Sequence, residues 1–328
     1  MAWRVLGDPR EAAWLLLHGG PGSGAGPALA RPFDAARSFL VLPDQRGAGA
    51  SRPRGVIRRN HTSALVADLE ALRSYLGLDR WSVLGGSWGS VLALAYAQAH
   101  PHRVQRLVLR GAFALSRREI GGLLMPVSGA AAAGVLGPGV ARASLPALLA
   151  RLAQLLQSAT PDVTALDALR RWQDLESGAA LHGMRRSLRQ ALRDQAPGRA
   201  SAIRSMLAAQ QRQQRRQRAA RGSPRCGPVE RALWRKFRIQ THYLRHRGFM
   251  RPAGLDRAVL ALARAGVPVD WVHGACDAVC PPANSRRWAA LGRRVPQAPV
   301  RLHQPASGHL GHEPDMLACL RQVVEAAA

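Results

Sequence analysis

"VLGGSWGSVLALAYAQ", residues 83–98, crowds Gly85, Gly86 and Gly89 around Ser87, between an apolar run on one side and an apolar helical pattern on the other. The run Trp81–Gly86 has the length and the glycine boundary of a buried strand, and the residues from Trp88 onward have helical periodicity. A serine at the sharp turn between them has the G-x-S-x-G form in which a nucleophile takes a strained backbone conformation. At such a turn, side chains on either side would collide with the adjoining strand and helix, and glycines remove the collision. The alternative for five residues alone is an ordinary glycine-rich strand-to-helix turn. The surroundings of the motif decide between the two.

Similar apolar runs closed by glycine or polar turns recur on both sides: "AWLLLHGG" (13–20), "SFLVLPDQRG" (38–47), "VQRLVLRG" (104–111), "VPVDWVHGACD" (267–277) and "PVRLHQPASGH" (299–309). Helical patterns separate them. Residues 62–76 put Leu65, Leu69, Leu72 and Leu76 on one face, with Thr62 or Ser63 as the expected cap. Strand alternating with helix predicts an α/β fold: a mostly parallel sheet covered by helices on both faces. From about Ser116 to Pro228 the strand-like runs stop, and alanine, leucine, arginine and glutamine dominate with helical spacing, as in "LPALLARLAQLLQ" (145–157). The expected organisation is therefore one core domain, residues 1–115 and 229–328, interrupted by a helical cap insertion over 116–228.

Within that core, three further features gather around Ser87. "HGGPG" (18–22) follows the first strong strand, where such a loop can aim backbone N–H groups at a developing oxyanion. The expected donors are Gly20 and Trp88, the residue after the serine. Asp277 follows the next-to-last strand and His309 the last. Serine, aspartate and histidine in that order, each at the carboxyl end of a strand, is the order of an α/β-hydrolase triad. The hydroxyl needs a neutral imidazole to take its proton, and the imidazole needs a carboxylate to fix its tautomer. His312 is a competing base three residues on, although the glycine-histidine pair directly after the strand favours His309. His18 reads as a support for the oxyanion loop. This chemistry calls for no metal and no cofactor.

Composition narrows the remaining classes. The 328 residues carry a formal charge of +27, which raises the question of nucleic acid. Yet Lys236 is the sole lysine, asparagine is nearly absent, and the densest basic run, "QQRQQRRQRAAR" (210–221), has no interleaved aromatics for stacking. The skew reads as biased codon usage, and no nucleic-acid partner is expected; the rival of that class is a basic binding protein around an idle hydrolase core. Four cysteines (Cys226, Cys276, Cys280, Cys319) without a C-x-x-C pair point to a reducing compartment. The first residues, "MAWRVLGDPREAAW", lack the layout of a signal peptide, so a cytoplasmic location is expected. The uncharged stretch 120–140 is rich in glycine and poor in large side chains, and reads as a mobile apolar loop or helix pair rather than a membrane span.

With these residues assembled, the chain resembles the prolyl aminopeptidases (proline iminopeptidases), serine peptidases of the α/β-hydrolase fold. The resemblance rests on "LHGGPGSG" (17–24), "LPDQRGAGAS" (42–51), "GGSWGSVLALAYAQAHPHRVQRLVLRGAF" (85–113), "RIQTHYLRHRGF" (238–249) and "GACDAVCP" (274–281), and is faint across 116–228. It implies release of a single N-terminal proline from small peptides, with Ser87, Asp277 and His309 as the triad. It also implies Arg110, Phe113 and Cys280 as pocket residues, and Glu176 in "RWQDLE" as one cap carboxylate that holds the substrate's amine. Three positions depart from the family's pattern. Gln240 stands where a second amine-binding glutamate is expected, Leu123 where a pocket aromatic is expected, and Ala50-Ser51 where arginine-serine is usual. These departures bear on specificity, and the alternative they leave open is another serine hydrolase, an esterase or amidase, on the same fold.

Overall fold

The computed structural model describes residues 1–125, 134–137, 143–158, 161–219 and 226–326. Seven strands form a single sheet: β1 (Ala2–Gly7), β2 (Ala13–Leu17), β3 (Phe39–Asp44), β4 (Trp81–Gly86), β5 (Val104–Arg110), β6 (Val269–Val272) and β7 (Val300–His303). Their spatial order is β1-β3-β2-β4-β5-β6-β7, and every neighbouring pair is parallel except β1 with β3. Six of these strands match the apolar runs of the sequence. The seventh, β1, is a mostly exposed edge strand, antiparallel to β3 with Ala2 pairing with Asp44 and Gly7 with Phe39.

Both faces of the central strands β2 to β6 are buried, which is why those strands are almost wholly apolar. Alternate residues feed opposite layers. Leu15, Leu17, Val41, Val83, Leu107 and Leu109 face α1 (Thr62–Tyr75), α2 (Trp88–Ala99), α8 (Gly254–Arg264) and α9 (Ala283–Gly292). Trp14, Leu16, Leu40, Leu42, Leu84, Val108 and Val272 face α10 (Pro314–Glu325) and the segment around Leu29 and Phe33. The N-cap of α1 is the His61 imidazole, which accepts from Ala64 N–H. Thr62, an expected cap, spends its hydroxyl instead on the Gly248 carbonyl.

Between β5 and α8 the described chain is mostly helical: α3 (Arg117–Leu124), α4 (Leu145–Leu155), α5 (Val163–Arg193), α6 (Pro197–Ala219) and α7 (Pro228–Arg245). Helix α3 takes up the beginning of the uncharged stretch, whose residues 126–133 and 138–140 lie outside the described residues. Helices α5 and α6 enclose a small cluster of their own, with Leu181, Met184, Ile203 and Leu207. Helices α4, α5 and α7 share the main core instead, and Trp172 of α5 stacks on Phe237 of α7 at 4.4 Å between ring centroids. Helix α5 also rests directly on the loops after β6 and β7. A Cβ on Gly183 would stand 3.0 Å from the Cys276 carbonyl oxygen, and the Ser187 hydroxyl donates to the Ala306 carbonyl. The helical layer therefore lies against the edge of the sheet where the carboxyl ends of the strands converge.

Candidate active site

Ser87 has φ 56° and ψ −121°, a left-handed conformation that non-glycine residues rarely adopt and that costs about 1–3 kcal/mol. The three glycines around it make the turn possible. A Cβ on Gly85 would come within 2.4 Å of the Gly89 carbonyl oxygen, and one on Gly89 within 2.3 Å of the Leu17 carbonyl oxygen in the neighbouring strand. At Gly86 the obstacle is the Arg110 guanidinium, 2.4 Å away. The backbone N–H of Ser87 donates to the Arg110 carbonyl at 2.9 Å, and the Ser90 hydroxyl bonds the Ser87 carbonyl at 2.6 Å. The hydroxyl of Ser87 is thus held at the mouth of the strand, with the start of α2 directly behind it.

Asp277 and His309 meet across two loops. His309 Nδ1 lies 2.7 Å from Asp277 Oδ2. Asp277 Oδ1 accepts the N–H groups of Val279 (2.8 Å) and Cys280 (2.9 Å), which fixes the carboxylate plane. His273 stands 3.4 Å from Oδ2 on the other side. Burial pushes this carboxyl up, but the charge and hydrogen bonds of His309 and His273 outweigh it and hold Asp277 well below the usual carboxylate range. The side chain that pairs with the aspartate is therefore His309. The rival, His312, lines the same cavity with its imidazole held low by burial and by Arg31 and Arg110.

The loop after β2 is braced as the sequence suggests. His18 Nε2 accepts the Gln45 N–H at 3.1 Å, so Nδ1 carries the proton and donates to the Gly19 carbonyl at 3.0 Å. Burial holds this ring below its ordinary range, in keeping with a neutral imidazole. The Gln45 side chain completes the brace. Its Nε2 donates to the His18 carbonyl at 3.0 Å and its Oε1 accepts Trp88 Nε1 at 2.9 Å. Gly20 follows with φ +45°. Trp88 opens α2, and the first N–H of a helix has no intrahelical acceptor.

One cavity of about 450 Å³ brings these parts together. Its wall includes Ser87, His309, Gly20 and Trp88, and also Arg110, Phe113, Cys280, Leu123, Glu176 and Gln240. Asp277, almost fully buried, lies behind His309. Arg110 donates from Nη1 to the His309 carbonyl, tying the end of β5 to the histidine loop. Cys280 Sγ lies 4.0 Å from Ser87 Oγ, and burial pushes its thiol well up, so it is a neutral wall rather than a second nucleophile. Ala50, the residue that departs from the family pattern, donates its N–H to Asp44 Oδ2 at 2.8 Å, and Ser51 beside it bonds the Asp44 carbonyl at 2.6 Å and accepts the Ala2 N–H at 2.8 Å. Both belong to the sheet edge, away from the cavity.

Glu176 projects from α5 and Gln240 from α7. Gln240 Nε2 donates to Glu176 Oε1 at 2.6 Å, and Lys236, one turn earlier on α7, places Nζ 2.6 Å from Glu176 Oε2. Sequence reasoning missed Lys236, although its spacing of four from Gln240 put both on one helix face. It also missed Glu313, which accepts the N–H groups of Gly308 (2.6 Å) and Leu310 (2.9 Å) on either side of His309.

A protein-family model described as the alpha/beta hydrolase fold matches residues 14–315. The chain belongs to the α/β hydrolase family. Among curated relatives of this α/β hydrolase, a probable proline iminopeptidase of Leptolyngbya boryana is 52% identical over 114 residues, 35% of this chain and 36% of that protein. A proline iminopeptidase of Xylella fastidiosa is 51% identical over 118 residues, covering 36% and 38%. A probable proline iminopeptidase of Streptomyces coelicolor is 43% identical over 186 residues, covering 53% and 56%. The matched part thus spans between 36% and 56% of the length of these three relatives. Among solved structures, an esterase from Rhodococcus sp. ECU1013 superimposes with a TM-score of 0.54 at 20% identity, covering 99% of this chain and 93% of that one. A thermophilic esterase from Thermogutta terrifontis gives 0.52 at 16% identity, covering 99% and 92%. At such identities the likeness is one of fold. Among the described residues, no helix is long and apolar enough to cross a membrane, and no group of three or more His, Cys, Asp or Glu side chains could hold a metal ion.

Proposed function

We propose that this α/β hydrolase is a serine aminopeptidase that releases N-terminal proline from small peptides through an acyl-enzyme. The observation that carries the reading is the convergence of Ser87 and the Asp277-paired His309 on one cavity, in a chain 52% identical over 114 residues to a probable proline iminopeptidase. Ser87 Oγ attacks the carbonyl carbon of the first residue while His309 Nε2 takes its proton. Asp277 keeps the other proton on Nδ1 and stabilises the imidazolium. The N–H groups of Gly20 and Trp88 hold the oxyanion. When the tetrahedral intermediate collapses, the C–N bond breaks and His309 returns the proton to the leaving amine. Water then repeats the sequence on the ester and releases proline.

Phe113 and Cys280 form the apolar wall for the pyrrolidine ring, Arg110 steadies the histidine loop, and Glu176 with Gln240 receives the ring's ammonium. Residues 116–228 act as the cap over the core of 1–115 and 229–328, and the protein works in the cytoplasm. No metal or cofactor takes part in this sequence of steps. The test is a panel on one preparation: prolyl-2-naphthylamide, other aminoacyl naphthylamides and a simple ester. The prolyl amide is expected to have the highest kcat/KM. Ser87→Ala, which keeps the turn and removes only the hydroxyl, is expected to lower it by a factor on the order of 10⁴ or more with the Tm unchanged. A panel in which the ester turns over and no aminoacyl amide does would assign the chain to a second reading, an esterase or amidase. One observation favours that reading: Glu176 is already paired with Lys236.

A further inference from the structure

The amine end of the cavity is occupied by the chain itself. A carboxylate only accepts hydrogen bonds, so the atom of Gln240 facing Glu176 must be Nε2. Oε1 then points away, on a side chain only 3% exposed, and it has no hydrogen-bond partner among the described residues. It points toward the oxyanion loop: a Cβ on Gly20 would stand 3.8 Å from Gln240 Oε1 and 3.8 Å from Lys236 Cε. The other Glu176 oxygen holds Lys236 Nζ at 2.6 Å. Both carboxylate oxygens therefore have donors, and one of those donors is an ammonium. Around the cavity the charged side chains among the described residues are Arg110, Lys236 and Glu176, two cations against one carboxylate. The residue is also singular in the sequence, the one lysine beside 46 arginines. A lysine head is a compact point charge, closer to a substrate's ammonium than a planar guanidinium would be.

We propose that Lys236 is a specificity-determining residue, an internal ammonium that competes with the substrate's ammonium for Glu176. The substrate's amine is then met by the unpartnered Gln240 Oε1 and by only a share of the carboxylate, which moves the enzyme's preference toward acyl groups with an uncharged end. The proposal rests on the reading of Glu176 as the amine-binding carboxylate.

The test compares prolyl-2-naphthylamide with its neutral isostere, cyclopentanecarbonyl-2-naphthylamide, in the parent, Lys236→Met and Lys236→Arg. In Lys236→Met the ratio of the two kcat/KM values is expected to rise about tenfold in favour of the prolyl amide, mainly through KM, which is the worth of one charge-assisted hydrogen bond over a neutral one. In Lys236→Arg, which keeps the ion pair, the ratio is expected to stay near the parent's. Lys236→Gln serves in place of the methionine variant if that one does not fold. A ratio that is unchanged or lower in Lys236→Met, or that rises equally in Lys236→Arg, overturns the proposal. Competition against hydrolysis of a simple ester separates this from the aminopeptidase reading. Pyrrolidinium is expected to inhibit Lys236→Met about tenfold more tightly than the parent, with no such change for cyclopentanol. If pyrrolidinium behaves so while no prolyl amide is cleaved, Lys236 controls amine binding and the aminopeptidase reading falls. If the prolyl amide is cleaved and neither ratio nor inhibition responds, the aminopeptidase reading stands and the role of Lys236 falls.

Discussion

Gln240 presents an amide nitrogen to Glu176 at 2.6 Å, so Gln240→Glu exchanges a donor for a second carboxylate at hydrogen-bond distance. Two carboxylates so close share a proton, and each raises the other's pKa. At low pH the shared proton makes the pair resemble the parent's Gln–Glu pair. As pH rises the proton leaves, and the pair can answer both Lys236 and a substrate ammonium. A hydrogen bond to a charged group is worth about 1.5–3 kcal/mol against about 1 for a neutral pair. The kcat/KM of Gln240→Glu on prolyl-2-naphthylamide is therefore expected to exceed the parent's by several-fold to about tenfold. The advantage should grow from pH 6 toward about 8, then fade as the substrate's own amine loses its proton. Paired pH profiles of the two proteins measure this. If the amide and a neutral ester suffer equally at every pH, Gln240 does not meet the amine. The residues easiest to read from the sequence are those whose reasons are local: Ser87 amid its glycines, and Asp277 and His309 each directly after an apolar run. Lys236 and Gln240 stand four apart on one helix, but the carboxylate that joins them is 60 or more residues away on α5. That pairing is a product of tertiary packing, which no local spacing displays.

At the scale of elements, the start of α10 controls the loop that carries His309. The Glu313 carboxylate accepts the N–H groups of Gly308 and Leu310, clamping the histidine from both sides. Burial pushes this carboxyl up to about 7, with the charge of Asp277 adding to the rise and the two N–H bonds and Arg110 opposing it. A carboxyl whose folded pKa lies above its unfolded value contributes stability that is whole below the unfolded pKa and lost as pH rises through the folded one. The window here runs from about 4.5 to about 7. Glu313→Gln cannot ionise, so its Tm is expected to fall less than the parent's between pH 5 and 8. At pH 5 it should start lower, because the parent's neutral acid still turns an oxygen toward each of the two N–H groups, whereas the amide turns its NH2 toward one of them, a loss of about 1–3 kcal/mol. The difference between the two Tm profiles isolates Glu313, since Asp277, whose carboxyl is held low, titrates below this window in both proteins. Parallel profiles would remove Glu313 as the origin of the slope. Its kcat should drop as well, because His309 loses half of its clamp. Elements themselves were legible where burial on both faces leaves an apolar run, which is the case for β2 to β6; β7, half-exposed, was legible from its short run closed by the turn before His309. Strand β1 escaped because Trp3, Val5 and Leu6 remain well exposed at the sheet's edge, so no inward-outward alternation marks it.

Across the whole molecule, residues 116–228 are distinguished from the core by composition more sharply than their helices are by packing. The main apolar cluster runs without a break from the sheet into α4, α5 and α7, through Leu148, Leu152, Leu169, Trp172, Trp234 and Phe237. Trp172 and Phe237 are both fully buried and stacked on each other, one inside the 116–228 segment and the other just beyond it. Removing 116–228 would strip one side from that stack and bare Phe237, Trp234 and Phe113. Aromatic side chains bury about 150–250 Å² each, so three together approach or exceed the few hundred Å² that soluble monomers expose in one patch. A chain with 116–228 replaced by a short linker is therefore expected to aggregate, even though every strand is retained. The point variant Trp172→Ala tests the same continuity without deleting anything. Losing a buried tryptophan costs about 3–5 kcal/mol, or a fall in Tm of roughly 10 °C for a chain of this size. Selectivity should suffer with it, because Glu176 lies one helical turn from Trp172 on α5, and its position against Gln240 depends on how α5 seats on α7. A soluble deletion that melts cooperatively at the parent's Tm, or a Trp172→Ala variant that loses less than about 1 kcal/mol, would show that the sheet carries its stability without these helices.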